Sequence, residues 1–364
     1  MMVVSKQYQI FFDFLRFCIG SESEIPSSLK EADWEELYAI AKKQCLVGVL
    51  FDGIKKLPAE QVGMKMGLLF QWIAKNRMLE KANVRLNDAA IQISEWFRKK
   101  GFRTCILKGQ GNALMYPNPY SRTPGDIDIW VEGGDKRVIS FVRSISPHEK
   151  ACYHHIEFPP YKGVEVEVHY RPSFLLCFWH NRKLQNFYER MKEEQFSHRV
   201  MLGKQGEIAI PTVEFNLIFQ LTHIYAHLMN EGIGLRQLVD YYYVLISDDL
   251  LLIRDRVQKE LKELGLWKFA GAIMYIMQEV FGMPASRLIV PPNEKYGKFV
   301  LNEVLEAGNF GKHDERNRFG RSKLGHNLQR VYRDIRLVRY FPAEALCEPL
   351  FRLWHFFWRV KNKK

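Results

Sequence analysis

The chain has 364 residues, of which 47% are hydrophobic and 26% charged. These values exclude a disordered or fibrous protein and suit two or three domains at about 150 residues each. Lys and Arg outnumber Asp and Glu by 53 to 41, a formal charge of +12, so a polyanion is a natural partner.

The excess gathers from Lys312 onward, at Arg316, Arg318, Arg321, Lys323, Arg330, Arg333, Arg336, Arg339, Lys361, Lys363 and Lys364. This basic C-terminal region is either a surface for a polyanion such as nucleic acid, acidic lipid or nucleotide phosphate, or a solvated helix face. Cys18, Cys45, Cys105, Cys152, Cys177 and Cys347 contain no C-x-x-C pair, which argues against a disulfide framework or a structural zinc site. The apolar stretch Ile10-Phe11-Phe12 is soon broken by Asp13 and Arg16, unlike a signal peptide. No run approaches about 18 apolar residues, so no transmembrane segment is expected and the expected location is cytoplasmic.

In chain order, residues 1–98 read as an N-terminal helical region. Trp34 to Ala41 forms a helix with Asp33 as its N-cap. A longer helix follows Leu57-Pro58, with Leu79, Ala82, Leu86, Ala90, Ile93 and Phe97 in one stripe. Lys99-Lys100-Gly101 stops it.

Residues 99–210 read as a compact α+β core. Phe102 to Leu107 is a short strand, and Ile127, Ile129 and Val131 alternate with Asp126, Asp128 and Trp130. Tyr153 to Phe158 and Val164 to Tyr170 suggest a hairpin with the loop Pro159 to Gly163. Arg199 to Leu202 and Glu207 to Ile210 suggest a second, small hairpin. Residues 211–364 read as a C-terminal helical region. Its first helix carries the apolar stripe Leu217, Leu221, Ile224 and Leu228 beside a polar one of Asn216, Gln220, His223 and His227, with Thr212 as candidate N-cap.

The chemistry centres on Gly125-Asp126-Ile127-Asp128. Residues i and i+2 of a strand share a face, so Asp126 and Asp128 project together. Paired carboxylates repel unless a cation lies between them, and Mg²⁺ takes oxygen ligands while keeping phosphate oxygens in its shell. Upstream, Lys108-Gly109-Gln110-Gly111 follows a strand. Its glycines let backbone N–H groups approach phosphate, a helix opening near Asn112 would add a favourable field, and Lys108 and Arg122 supply cations. Downstream, Glu165, Glu167 and His169 alternate along one strand face. If that strand lies beside the first, Glu167 completes a three-carboxylate cluster able to hold two metal ions.

Leu107-Lys108-Gly109, Arg122, Asp126-Ile127-Asp128 and Glu167-Val168-His169-Tyr170 together resemble the nucleotidyltransferase superfamily, and more narrowly the bacterial group of uncharacterised nucleotidyltransferase family proteins. Pro211 to Asp240, with His223, His227, Arg236 and Asp240, resembles the helical segment after that group's core. The resemblance implies a small mixed sheet with helices behind it, and an NTP such as ATP held with two Mg²⁺ ions (Mn²⁺ the alternative). A nucleoside monophosphate would pass to a hydroxyl of a small-molecule or protein acceptor, with release of pyrophosphate. Asp126, Asp128 and Glu167 match the metal-binding and catalytic acids, with Glu167 or Glu165 as candidate base. Lys108, Gly109, Gly111 and Arg122 match the nucleotide-binding side, and Glu165, His169, His223 and His227 are candidates for the substrate cleft. Two departures stand out: Gln110 where many members have Ser, and Glu rather than Asp at 167.

Two other readings use the same residues. One is a D-x-D glycosyltransferase, disfavoured by the helical first 98 residues. The other is a nucleotide- or nucleic-acid-binding module of the same fold without turnover. Finally, Leu350 to Val360 mixes Phe351, Leu353, Trp354, Phe356, Phe357 and Trp358 with Arg352 and Arg359. The pattern suits a helix docked by its aromatic face, or one lying on a membrane surface.

Overall fold

The computed structural model describes residues 5–58, 63–203, 206–314, 316 and 323–362, without the side chains of 310, 323, 324, 326 and 327. The basic positions Arg318, Arg321, Lys363 and Lys364 therefore lie outside the described residues, as does the side chain of Lys323.

Three helices open the chain: α1 (Lys6–Ile19), α2 (Trp34–Lys43) and α3 (Val47–Ile54). Asp33 caps α2 by accepting from the backbone N–H groups of Glu35 and Glu36. The long α4 (Met66–Lys99) follows and stops where Gly101 takes φ +80°, a conformation glycine adopts without strain.

The central sheet has the order β1-β2-β4-β3, from β1 (Thr104–Ile106), β2 (Ile127–Val131), β3 (His155–Tyr161) and β4 (Val164–His169). β1 runs antiparallel to β2, β2 parallel to β4, and β3 antiparallel to β4. The fold is thus α+β with a small mixed sheet, as read from the sequence. α5 (Gln110–Ala113) follows β1, and α6 (Gly134–Ile145), not read from the sequence, lies between β2 and β3. Two strand bounds differ from expectation. β1 spans three residues rather than six. The β3–β4 hairpin turns at Lys162-Gly163, where φ is +53° and +73°, rather than over five residues. Both central residues have positive φ, as a type I′ turn requires. Pro159 and Pro160 fall inside β3, which is an edge strand whose register shifts between Phe158 and Tyr161. Missing N–H donors are tolerated there.

Alternation decides the sheet's two faces. Ile127, Ile129, Val131, Val164, Val166 and Val168 are buried in one cluster with Leu86, Ala90, Ile93 and Phe97 of α4 and Val138 and Val142 of α6. The opposite face carries Asp128, Glu167 and His169. It is walled by α7 (Phe178–Ser197) and α8 (Val213–Asn230), where Trp130 packs on Phe196 and Phe215 at centroid distances of 4.6 and 5.8 Å. The small hairpin β5 (Arg199–Leu202) and β6 (Gly206–Ala209) precedes α8. Thr212 precedes α8 but makes no side-chain cap; its hydroxyl bonds Gln195 Oε1 instead.

The helical remainder comprises α9 (Leu235–Leu245), α10 (Leu250–Glu263), α11 (Trp267–Glu279), α12 (Glu294–Ala307), α13 (Lys323–Val338) and α14 (Pro342–Lys361). One large core runs from Ile10 of α1 through α8–α12 to Phe351 of α14. Among the described residues no helix is long and apolar enough to cross a membrane.

Candidate active site

The sheet register sets the site. Asp128 on β2 pairs across the parallel ladder with Glu167 on β4, so their side chains leave the same face side by side. Asp126 precedes β2 by one residue. Ligand oxygens of Asp126, Asp128 and Glu167 all lie within 4.8 Å of one another. They open onto a cavity of about 760 Å³, also lined by Lys108, Gly109, Arg122, His169, His223 and His227.

Proton positions follow from the partners. Lys108 Nζ lies 3.1 Å from Asp128 Oδ1 and 3.2 Å from His223 Nε2. An ammonium only donates, so His223 accepts and is neutral. Burial, then the charge on Lys108, pushes the His223 pKa well down. Burial alone would depress Lys108, but Asp128, Asp126 and Glu167 outweigh it and raise its pKa. His169 donates Nδ1–H to the Arg171 carbonyl at 3.3 Å, while Nε2 lies 3.0 Å from Asp128 Oδ1 and 3.4 Å from Glu167. Carbonyls and carboxylates accept, so the ring carries both protons. Burial opposes that charge, yet the hydrogen bonds to Asp128 and Glu167 lift the His169 pKa to about 9.

The carboxylates respond in opposite directions. Asp128 is buried, which would raise its pKa, but Lys108 and His169 hold it below the ordinary range. The charge on Asp128, then burial, pushes Asp126 up. Glu167 is lowered: burial is outweighed chiefly by its hydrogen bond to His169. Three carboxylates thus face two protein cations. Asp128 Oδ2 is buried and makes no hydrogen bond, an expensive vacancy for a charged oxygen. A divalent cation bound by hard oxygen donors would satisfy it. Among the described residues His155, Glu167 and His169 form a second group within 4.8 Å, and Cys152, His154 and His155 a third. Burial, then the charge on His169, lowers the His155 pKa to about 4, leaving a neutral ring.

The turn after β1 differs in part from the sequence reading. Gly109 has φ +60° and lines the cavity, with an added Cβ 3.6 Å from the Asp126 carbonyl. Gly111 does not line it; a Cβ there would meet Ile210 Cγ2 at 2.9 Å, so its smallness serves packing. α5 opens at Gln110 and lasts four residues, too short for a sizeable helix dipole. Gln110 is buried, with its amide directed to Asn83 O and Asn87 Oδ1. Glu165 is exposed and outside the cavity lining, although it shares the strand face of Glu167.

Arg122 is buried in a bidentate ion pair with Asp240, at 2.8 and 2.7 Å. Asp240 also feels the charge of Arg236, one helical turn away. The structure ties it to Arg122, 118 residues away, and to Tyr116 Oη at 2.6 Å. Arg236 Nη1 donates to Thr123 O at 2.9 Å. The polar stripe of α8 points inward: Asn216 and Gln220 donate to Asn112 Oδ1, and His223 and His227 line the cavity.

The far wall was not legible in advance. Lys312, Arg330 of α13, and Glu348, Phe351, Arg352 and His355 of α14 all line the cavity. Other tail cations pair internally: Arg316 binds Asp314 and Glu303, and Arg336 binds Glu303. Phe351 docks on Phe174 at 5.2 Å, whereas Phe356 and Phe357 stay exposed. The aromatic face of the last helix is therefore only partly docked.

A family model described as uncharacterised nucleotidyltransferase matches residues 30–282. A solved structure, an antigenic nucleotidyltransferase-like protein from Paracoccidioides brasiliensis, matches at 15% identity over 50% of this chain and 92% of that one, with a TM-score of 0.28. Among curated proteins nothing matches.

Proposed function

The chain belongs to the family of uncharacterised nucleotidyltransferases, and from that premise we propose that it moves a nucleoside monophosphate from an NTP to an acceptor hydroxyl in a divalent-metal-dependent reaction. Residues 99–210 form the nucleotide-binding core, the helical region 1–98 scaffolds it, and the helical region 211–364 walls the acceptor side. The observation carrying this reading is the meeting of Asp126, Asp128 and Glu167 within 4.8 Å, with one buried Asp128 oxygen lacking a partner.

Asp126, Asp128 and Glu167 would hold Mg²⁺ or Mn²⁺. When bound, such ions neutralise phosphate charge and ease deprotonation of an acceptor hydroxyl. Lys108, whose ammonium lies at the carboxylate cluster, offers a cation to the triphosphate. Gly109 leaves the backbone beside it bare for close approach of phosphate. Glu167 is partly exposed and lines the cavity, and it serves as the candidate base. His169 fixes Asp128 and Glu167 through Nε2, and its own ring is fixed through Nδ1. Arg122, held by Asp240, and Arg236 line the cavity and would face the leaving pyrophosphate.

The test is pyrophosphate release with each of the four NTPs and Mg²⁺, together with mass spectrometry of candidate acceptors. A mass gain of one nucleotide that disappears in Asp128→Asn supports the reading. A gain that persists in that variant contradicts it.

A further inference from the structure

The last two helices carry an apolar surface that the cavity leaves over. On α14, Leu346, Leu350, Leu353, Phe357 and Val360 recur at intervals of three and four, which places them in one stripe. They are 65, 60, 58, 61 and 51% exposed. On α13, Leu328, Val331, Tyr332 and Ile335 repeat the pattern and are also exposed. Helices of soluble proteins bury such stripes, and contiguous exposed apolar surface marks an interaction site.

Charge selects the occupant. Residues 323–361 contain three carboxylates, Asp334, Glu344 and Glu348, and all three are buried. Arg339, four residues on from Ile335, and Lys361 are exposed beside the stripes, whereas Arg359, four residues on from His355, falls on the cavity side of α14. The outer side of these helices therefore offers carbon and positive charge, with no exposed carboxylate of its own. A second copy docked through the same stripe would set cations against identical cations. An anionic lipid surface meets both features: headgroups for the cations, acyl carbon for the stripe.

We infer that α13 and α14 seat the protein on an anionic lipid surface. The helix lies along the interface and does not span it, since it is not apolar enough to cross. Glu348, Phe351, Arg352 and His355 occupy the opposite side of α14 and line the cavity. One helix thus separates lipid from the cavity, a thickness of about 10–12 Å.

Flotation of the full chain with vesicles tests this, using phosphatidylcholine alone or with added phosphatidylglycerol. The expected result is flotation with the anionic vesicles at low salt and release as salt rises. Leu353→Glu with Phe357→Glu lowers the bound fraction, and Arg339→Gln with Lys361→Gln weakens binding about tenfold on anionic vesicles only. Both pairs are on exposed positions, and thermal melting checks that the variants fold. The inference is overturned if the natural chain stays unbound at low salt or if folded variants float like it. It is equally overturned if light scattering finds a dimer that Leu353→Glu with Phe357→Glu dissociates while the natural chain ignores vesicles.

Discussion

The cavity has two walls built on opposite principles. The sheet wall is made by short-range alternation: β2 and β4 each carry apolar residues to one side and acids to the other, and a parallel register sets Asp128 beside Glu167. The α13–α14 wall is made by long-range docking of helices with two working sides, one lining the cavity and one exposed. Chemistry concentrated on the first wall demands fixed positions.

The comparison breaks most severely if the sheet wall is not where charge is handled. Asp128→Asn should reduce pyrophosphate release by about 10²-fold or more, the loss of several kcal/mol of charge stabilisation. A steady-state assay on folded protein checks it. Next, Asp240→Ala should destabilise the chain by about 3–5 kcal/mol, because Arg122 is left buried beside Arg236; urea unfolding measures this. Docking of the second wall rests on Glu344, which accepts from the backbone N–H groups of Leu176 and Cys177. Glu344→Ala should cost about 2–3 kcal/mol by leaving those donors buried and unmet, seen as faster hydrogen exchange in α14.

Much of the first wall was legible in the sequence. The alternations at 126–131 and 164–169 are local patterns, and strand geometry converts them directly into faces. The stop of α4 at Gly101 and the cap at Asp33 are equally local. The Arg122–Asp240 pair and the cavity lining by Arg330, Arg352 and His355 join residues far apart in sequence, and no local spacing encodes them. The hairpin turn at Lys162-Gly163 was misplaced for another reason: Pro159-Pro160 reads as a loop, but an edge strand accepts it.

Smaller effects sharpen the contrast further. Burial, then the neighbouring Glu348 carboxylate, lifts the Asp334 pKa to about 7. A carboxyl that holds its proton more tightly when folded contributes most below its unfolded pKa of about 4 and loses that contribution as pH rises to about 7. The natural chain should therefore lose on the order of 2 kcal/mol relative to Asp334→Asn across that window, measured by denaturant melts at several pH values. The smallest effect belongs to Glu165. It is exposed and outside the cavity, so Glu165→Gln should change turnover less than about twofold, whereas Glu167→Gln should abolish most of it.

The most direct measurement is Mn²⁺ binding by electron paramagnetic resonance, on the natural chain and on Asp126→Asn, Asp128→Asn and Glu167→Gln. If the three acids share one ion-binding pocket, each variant should weaken Mn²⁺ binding by about tenfold or more. Mn²⁺ affinity unchanged in Glu167→Gln would show that the third carboxylate stands outside the metal centre, and the shared pocket would be refuted.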